Sequence, residues 1–322
     1  MKKAVAASLA AMMLLSASTA MAASFPEFQF NGDVKVHYRW NTADGADDTE
    51  GGKVWFRLNA TSEVSKNLTF YIRLTTQRLT GDNIGADFDQ GHYHDDHATT
   101  LDRIGFMVKG KTFDYNIGRQ ALFLGKGLLM DSSGYMGTNR GAIDGLTATG
   151  KSGATNLTFV AGQAWMDGDD EAKIYAVDAS YSPAKNWTLG ATVAEVSDRT
   201  VGEDTTHYAI NAAYTAGKAT YFGEYGKSDA NSDDKGYALG INYDLDKKNS
   251  VFAIYNRVEA NTDLIANMTT YDNNGKGMYY GFSHKIKADT TFDMFYKDMK
   301  YISGLDAGKG YSSLRTTVTY KF

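Results

Sequence analysis

The chain has 322 residues, a formal net charge of −5 and no cysteine. The lack of cysteine excludes a disulfide framework and a cysteine-ligated metal centre. Beyond the N-terminus no stretch approaches the roughly 18 consecutive apolar residues of a membrane-spanning helix, which excludes a bundle of such helices.

The N-terminus has the parts of a secretory signal. Lys2 and Lys3 precede a short apolar run, and small residues surround a cleavage site after Ala22. The run is shorter than the ~20 residues that an uncleaved membrane helix, the alternative, would need. We therefore predict a signal peptide over residues 1–22 and a single mature domain, a β-barrel, over residues 23–322.

From residue 27 onward, apolar and polar residues alternate. In FQFNGDVKVHYRW (28–40), Val34 and Val36 lie on one face, and Lys35 and His37 lie on the other. A period of two is typical of strands with one apolar and one polar face. We predict sixteen strands, near residues 27–40, 52–63, 66–77, 100–109, 111–120, 141–150, 153–165, 171–182, 185–197, 204–216, 218–228, 234–245, 248–259, 275–287, 289–300 and 309–322.

The connections between these strands alternate in length. Tight ones, such as Gly217, hold one or two residues, whereas long ones, such as 41–51 and 260–274, are rich in Asp, Gly and Asn. Short connections at one end and long ones at the other are typical of an up-and-down barrel.

The predicted strand lengths favour a membrane barrel over a soluble β-sandwich, which is the alternative fold. Soluble strands have roughly five or six residues, and ten residues tilted by ~45° rise about 23 Å, which matches the apolar band of an outer-membrane barrel. A sheet in a bilayer cannot leave an edge unpaired, so it must close. The predicted fold class is all-β, a transmembrane antiparallel up-and-down β-barrel of 16 strands with a water-filled lumen lined by the polar faces.

One segment, GRQALFLGKGLLMDSSGYMGTNRGAIDG (118–145), interrupts the alternation. It is too apolar for an exposed loop and too rich in glycine for a helix. A loop of about twenty residues within a compact domain indicates a function. We predict that residues 121–140 fold inward and narrow the lumen, with Lys126, Asp131 and Arg140 facing the channel. An outward loop that covers the barrel mouth is the alternative.

Several segments resemble the general porins of Gram-negative outer membranes, and the resemblance extends over essentially the whole mature chain. FQFNGDVKVHY resembles the first strand of that family, GGKVWFRLNATSEVSKNLTFY the second and third, and TLDRIGFMVKGKTFDYNIGRQ the fourth and fifth. Arg57 and Arg103 match arginines of the barrel wall, and Arg140 matches a third pore arginine. Phe322 matches the terminal aromatic residue that the outer-membrane assembly machinery recognises.

The resemblance implies a homotrimeric diffusion porin. Residues 121–140 would form its constriction loop, and residues 78–99 would reach a neighbouring subunit. Its partners would be small hydrophilic solutes and ions, together with outer-membrane lipid and lipopolysaccharide. Nucleic acid is not an expected partner, and no cofactor is expected.

The charges of the predicted pore are mainly positive. Constriction loops of this family usually carry several carboxylates, whereas Asp131 is the only acid between Ala121 and Gly141. The predicted pore-lining residues are Lys35, Arg39, Arg57, Arg73, Arg103, Lys126, Asp131, Arg140 and Arg315. We expect a mild preference for anions in the narrow region, although the acidic mature chain acts against it at the mouth. Each basic residue could instead be a solvated wall charge without an effect on selectivity.

The segment GLTATGKS (145–152) matches the P-loop pattern. A phosphate-binding P-loop requires a helix after it, so that backbone N–H groups surround the phosphate. The residues that follow alternate like a strand, so we predict a turn at Lys151-Ser152 and no nucleotide site.

A second cluster, DFDQGHYHDDH (87–97), is rich in histidine and aspartate. His92, His94 and His97 are candidate ligands for a divalent metal. No second set of ligands accompanies them, and a solvated surface loop is the alternative.

The chain contains neither a G-x-S-x-G nor an H-E-x-x-H motif, so we predict that it is not an enzyme. The predicted function is passive diffusion of small hydrophilic solutes and ions through an outer-membrane channel. A substrate-selective porin for phosphate, a sugar or a dicarboxylate is the main alternative, and a structural or adhesive barrel is a further one.

Overall fold

The computed structural model describes residues 27–81, 97–134, 142–165, 171–199 and 202–322. The predicted signal peptide, Arg140, and the candidate metal ligands His92 and His94 lie outside the described residues. In the described part of the chain, no helix has the length and apolar character to cross a membrane.

The described residues form eighteen β-strands. In chain order these are β1 Phe28–Ala43, β2 Thr49–Ser65, β3 Leu68–Gly81, β4 His97–Val108, β5 Phe113–Gln120, β6 Phe123–Leu124, β7 Met130–Asp131, β8 Ile143–Ser152, β9 Thr155–Trp165, β10 Glu171–Tyr181, β11 Trp187–Ser197, β12 Thr205–Ala216, β13 Ala219–Ser228, β14 Lys235–Asp244, β15 Asn249–Val258, β16 Gly275–Lys285, β17 Thr290–Tyr301 and β18 Gly310–Lys321.

Sixteen of these strands form one closed antiparallel barrel, and the short strands β6 and β7 pair only with each other. Each barrel strand pairs with the next one along the chain, with β5 pairing to β8 across the β6–β7 insertion, and β1 closes the barrel against β18. The closing register starts with Asp33 opposite Lys321. Gly32 and Phe322 exchange backbone hydrogen bonds of 3.0 and 3.1 Å. The predicted barrel of 16 strands is confirmed.

The two faces of the strands meet different surroundings. One face carries large apolar side chains that remain exposed, for example Val36 at 55%, Ile210 at 63% and Leu239 at 58%. Aromatic rings extend this surface across strands, as in the stacked pair Tyr280–Tyr296 at 6.4 Å. An apolar belt around most of the barrel is stable in hydrocarbon rather than in water. This face is therefore the outer wall, and the opposite face points into the barrel.

The turn between β8 and β9 differs from its prediction. Lys151 and Ser152 belong to β8, and the turn consists of Gly153 and Ala154. Gly153 has a φ of 60°, a conformation that glycine adopts without steric cost. The prediction of a strand on each side, rather than a P-loop helix, holds.

The inner face is not polar all the way round, in contrast to the prediction. Between β8 and β12 it carries buried apolar residues, namely Ile143, Val160, Ala164, Ala172, Ile174, Ala176, Ala194, Val196 and Ala209. They share one cluster with residues of two connections, namely Leu122, Leu124, Leu129, Met130, Leu264, Ile265 and Met268. The apolar inner wall is stable because these apolar connections cover it and remove it from water.

Candidate functional site in the barrel interior

Six of the eight basic residues that were predicted to line the pore lie on neighbouring strands of the barrel. On the inner faces of β18 and of β1 to β4 they form a group that we call the basic strip, consisting of Lys35, Arg39, Arg57, Arg73, Arg103 and Arg315. Each precedes or follows a residue of the outer wall, as Lys35 precedes the exposed Val36. The alternation of the strand therefore turns all six side chains towards the interior.

Acidic residues of the same wall pair with part of the basic strip. Arg57 Nε lies 2.8 Å from Asp33 Oδ1. Arg73 contacts both carboxylate oxygens of Asp102, through Nε and Nη2, at 2.7 Å each. A bidentate pair of this kind fixes the plane of the guanidinium group. The two acids offset the positive charges of Arg57 and Arg73.

Arg103 joins the barrel wall to the connection between β5 and β8. Its side chain is buried, donating from Nη1 to the carbonyl oxygen of Asp102 at 2.9 Å and from Nη2 to that of Ser132 at 3.4 Å. Ser132 in turn accepts the backbone N–H of Leu122 through its hydroxyl at 2.9 Å. Arg103 therefore holds the base of this connection in addition to contributing a charge.

Residues 122–132, the hairpin segment, form a compact turn closed by the pairing of β6 with β7. Gly125 and Gly127 adopt φ values of 59° and 87° at its tip. A Cβ atom on Gly125 would lie 2.2 Å from Glu224 Oε1. Glycine is required here both for the backbone conformation and for the close approach of the wall.

Two acidic side chains of the barrel wall bind the tip of the hairpin segment. Glu224 on β13 accepts the backbone N–H of Lys126 at 2.8 Å and that of Leu128 at 2.9 Å. Asp178 on β10 accepts the backbone N–H of Gly125 at 3.1 Å. Carboxylates that accept backbone N–H groups make stronger hydrogen bonds than neutral acceptors do. The tip is thus bound to strands that do not flank it in sequence.

The Asp131 side chain makes local contacts, whereas the prediction that the Lys126 side chain faces a channel stays a prediction. Asp131 Oδ1 accepts the N–H and hydroxyl groups of Ser133 at 3.1 and 2.6 Å, and its Oδ2 accepts the hydroxyl of Thr270 at 2.9 Å. Lys126 contributes its backbone N–H to Glu224, and the residue is partly exposed. The contacts found for Asp131 stabilise local structure.

The connection between β15 and β16, residues 259–274, packs on the hairpin segment. Leu264 donates its backbone N–H to Leu129 at 3.0 Å, and Thr270 donates its own to Gly127 at 3.0 Å. Sequence patterns predicted only an ordinary long connection here. The signal that could have revealed it is the apolar group Leu264, Ile265 and Met268 within an otherwise polar segment.

Tyr271 belongs to this second connection and is 3% exposed. Its ring lies 6.2 Å from that of Tyr279. Burial raises the pKa of Tyr271 above its ordinary value, and the negative charges of Glu224 and Asp131 raise it further. The phenol is therefore uncharged and can pack within the junction of the two connections.

A second polar cluster joins β17 and β18 to the end of the 259–274 connection, and sequence reasoning missed two of its members, Lys297 and Asp272. Lys297 forms an ion pair with Asp272, and Arg39 lies directly opposite Arg315 in the β1–β18 register. Burial alone would raise the pKa of Asp272, but the charges of Lys297 and Arg315 and a hydrogen bond from Lys297 lower it below its ordinary value. Asp272 is therefore a carboxylate.

No cluster of three or more His, Cys, Asp or Glu side chains in the described part of the chain is suited to a metal ion. The predicted histidine-rich site lies largely outside that part, since only His97, the first residue of β4, belongs to it.

Residues 137–264 match a family model described as Gram-negative porin. A comparison with curated proteins gave no match. Among solved structures, the chain is similar to an anion-selective porin from Comamonas acidovorans, with 14% identity and a TM-score of 0.61 over 92% of this chain and 100% of that one. It is also similar to a loop L8 deletion mutant of OmpT from Vibrio cholerae, with 12% identity and a TM-score of 0.61 over 93% and 100% of the two chains. A mutant of Rh. blastica porin gives 12% identity and a TM-score of 0.59 over 92% and 100%.

Identities this low show a shared fold, so the sequence evidence for the family comes from the family match. That match includes the strands from β8 to β15, which carry Asp178 and Glu224. Together, the match over residues 137–264 and the closed barrel of 16 strands make the chain similar to Gram-negative porins.

Proposed function

We propose that the protein is an outer-membrane channel through which small hydrophilic solutes and ions diffuse passively. The observation that carries this proposal is the closed barrel of 16 strands with an apolar outer face and a charged inner strip. A barrel of this strand number encloses more space than its own side chains fill. The similarity to porins favours a channel rather than an enzyme.

We further propose that the hairpin segment lies inside the lumen and narrows it, with the 259–274 connection as its support. The bonds from Glu224 and Asp178 favour this position, since both acids lie on the inner wall. The apolar cover on the inner face of β8 to β12 favours it as well. The remaining passage then runs along the basic strip, and Arg140 stays a candidate for its lining.

A passage along the basic strip would favour anions. Asp33 and Asp102 offset two of its six positive charges, and Asp131 is engaged by Ser133 and Thr270 rather than directed at the strip. The similar porin from Comamonas acidovorans is described as anion-selective. We propose a mild anion preference for this chain.

We propose a homotrimer in contact with lipid and lipopolysaccharide, because a trimer form of the similarly folded OmpT is described. Phe322 stays the proposed assembly signal. Its ring is 46% exposed and stacks on Phe56 at a centroid distance of 5.8 Å.

The proposal is tested by reconstituting the purified protein in planar lipid bilayers under a potassium chloride gradient. We expect stepwise openings in groups of three and a reversal potential whose sign indicates anion preference. A folded barrel without conductance would contradict the channel, and a cation-selective potential would contradict the preference.

Two variants that each remove one positive charge provide the matched comparison. Arg57→Gln changes the basic strip, whereas Lys247→Gln changes an exposed tight turn outside the barrel wall. We expect only Arg57→Gln to shift the reversal potential towards cations. Equal shifts would show that net charge, rather than the strip, sets the selectivity.

A substrate-selective channel is the second candidate function. The observation that favours it is a pocket of about 440 Å³ beside Arg39 and Arg315.

A further inference from the structure

A pocket of about 440 Å³ opens at the end of the barrel that carries the long connections. It lies between β1, β17, β18 and the end of the 259–274 connection. Its lining combines basic, acidic, amide, hydroxyl and aromatic side chains, including Arg39, Arg315, Lys297, Asp272, Ser312 and Tyr301. The three basic residues lie deepest along their strands, because Ser312 and Tyr301 are closer to the long connections.

The deep end of the pocket is formed by two arginines in direct opposition. Arg39 on β1 and Arg315 on β18 are register partners. Like charges at opposite positions destabilise a sheet. A bound anion would reduce this repulsion.

The orientation of Arg315 favours a planar anion. Its guanidinium group lies over the ring of Phe295 at 5.1 Å, and its Nε donates to the hydroxyl of Ser313 at 3.2 Å. A guanidinium that stacks on an aromatic ring keeps its remaining N–H groups along its edge, in the fork that matches a carboxylate.

The third cation, Lys297, does not add to this charge. It pairs with Asp272, and its Nζ lies 5.0 Å from the centre of the Tyr311 ring. The Lys297–Asp272 pair is neutral as a unit. Asp272 also interacts with the charge of Arg315, which offsets part of the positive charge of the two arginines. One carboxylate therefore fits the deep end better than a multiply charged ion does.

The outer part of the pocket is polar, with one carboxylate, that of Asp47, among neutral groups and two rings. Thr42 and Ser312 hydroxyl oxygens lie 2.8 Å apart across the β1–β18 seam. The rings of Tyr301 and Tyr311 stack at 4.5 Å with a tilt of 31°. Each hydroxyl can donate one hydrogen bond and accept others, so these groups retain capacity for a hydroxylated ligand.

We propose that this pocket binds a sugar acid, that is, a small polyhydroxylated molecule with one carboxylate. The carboxylate lies at Arg39 and Arg315, and the hydroxyl groups face the outer polar side chains. The volume is within the roughly 300–1,000 Å³ of ligand pockets and exceeds what a chloride ion requires. The proposal rests on the proposed channel function and names a substrate class for it.

The test measures interruptions of single-channel current in a planar bilayer, with glucuronate, glucose or acetate added on the side of the long connections. Glucuronate has both a carboxylate and hydroxyl groups. Glucose has only the hydroxyl groups, and acetate has only the carboxylate. We expect glucuronate to reach half-interruption at a concentration about tenfold lower than either of the others.

Two variants with opposite expected effects keep the proposal testable if one of them folds poorly. Arg315→Gln should raise the half-interrupting glucuronate concentration about tenfold, because a charged hydrogen-bond donor is lost. Asp272→Asn should lower it, because a nearby negative charge is removed. Lys247→Gln, in a tight turn at the opposite end, is the control and should leave it unchanged.

The current measurements distinguish a failure of the sugar-acid site from a failure of the proposed channel. A folded wild-type barrel without conductance would overturn the proposed function. Open channels in which acetate acts as strongly as glucuronate would leave only a general anion effect and overturn the sugar-acid site. Open channels in which glucose acts as strongly would overturn the role of the two arginines.

Discussion

The carboxylate of Glu224 accepts the backbone N–H of Leu128 at 2.9 Å, although the two residues are 96 positions apart in sequence. Glu224 is 3% exposed and Leu128 is fully buried, so water does not compete for this bond. A side chain of β13 therefore helps to fix the position of the hairpin segment relative to the barrel wall, together with Asp178.

Replacing Glu224 by alanine should loosen the hairpin segment. Two backbone N–H groups, those of Lys126 and Leu128, would lose their acceptor, at a cost of about 1–3 kcal/mol for each that stays buried. We expect Glu224→Ala to form a barrel whose single-channel current is noisier and changed in size. Glu224→Gln should have a smaller effect, since it keeps one acceptor oxygen.

The control for this prediction is Glu195→Ala, which removes an exposed acid from the outer face of β11. Heat-dependent electrophoretic mobility would establish that all three variants fold. A current trace of Glu224→Ala identical to that of the control would exclude an anchoring role for Glu224.

Gly125 and Gly217 provide a matched pair, because both have a φ of 59°. Alanine costs about 1–2 kcal/mol in this conformation at either position. At Gly125 the new Cβ would also lie 2.2 Å from Glu224 Oε1, whereas at Gly217 nothing lies within 4 Å. We expect Gly125→Ala to alter conductance and Gly217→Ala to leave it unchanged. The same conductance for both variants would mean that the tip of the hairpin segment does not border the passage.

Adjacent positions on β1 test which face of the strand meets lipid. Val36 is 55% exposed on the outer wall, and Lys35 belongs to the basic strip. Arginine near the middle of the membrane costs about 2–4 kcal/mol on the lipid face. Val36→Arg should therefore lower the urea midpoint of folding into lipid vesicles, while Lys35→Arg should not. Equal losses would show that the assignment of the two faces is wrong.

Acid should weaken the cluster around Asp272. A carboxylate with a lowered pKa in the folded state contributes stability above its unfolded pKa of about 3.9, and this contribution is lost as the pH falls through the folded value. We expect the wild type to lose stability below about pH 4 and Asp272→Asn to depend less on pH in that range. Denaturant midpoints measured between pH 2 and pH 6 (roughly the range of carboxylate titration) would show the difference.

The comparison variant is Asp246→Asn. The pKa of Asp246 is also lowered, by hydrogen bonds from Asn249 and from the N–H of Lys248, but this residue lies in an exposed tight turn. We expect its removal to change the acid profile less than the removal of Asp272. The reverse order would contradict a stabilising role for the Lys297–Asp272 pair.

The barrel itself could be predicted from sequence because period-two alternation is a local signal. In β10, however, Ile174 is buried on the inner face while Tyr175 and Val177 are exposed on the outer one. Both faces of that strand are apolar, so the alternation of residues in the sequence does not show which connection covers its inner face. The bonds of Glu224 to the hairpin segment and of Asp272 to Lys297 join residues far apart in sequence, and nothing local predicts them.

The seam between β1 and β18 has a consequence for the folding route. Every other junction of the barrel joins strands that are consecutive in the chain or, for β5 and β8, separated only by the hairpin segment. These pairings have low contact order and can form as hairpins, one after another. The seam joins Gly32 to Phe322, so its formation closes a loop of nearly the whole chain and carries the corresponding entropic cost. A growing sheet thus keeps two open edges until the final strand pairs, and closure is the single long-range step on which completion of the barrel depends.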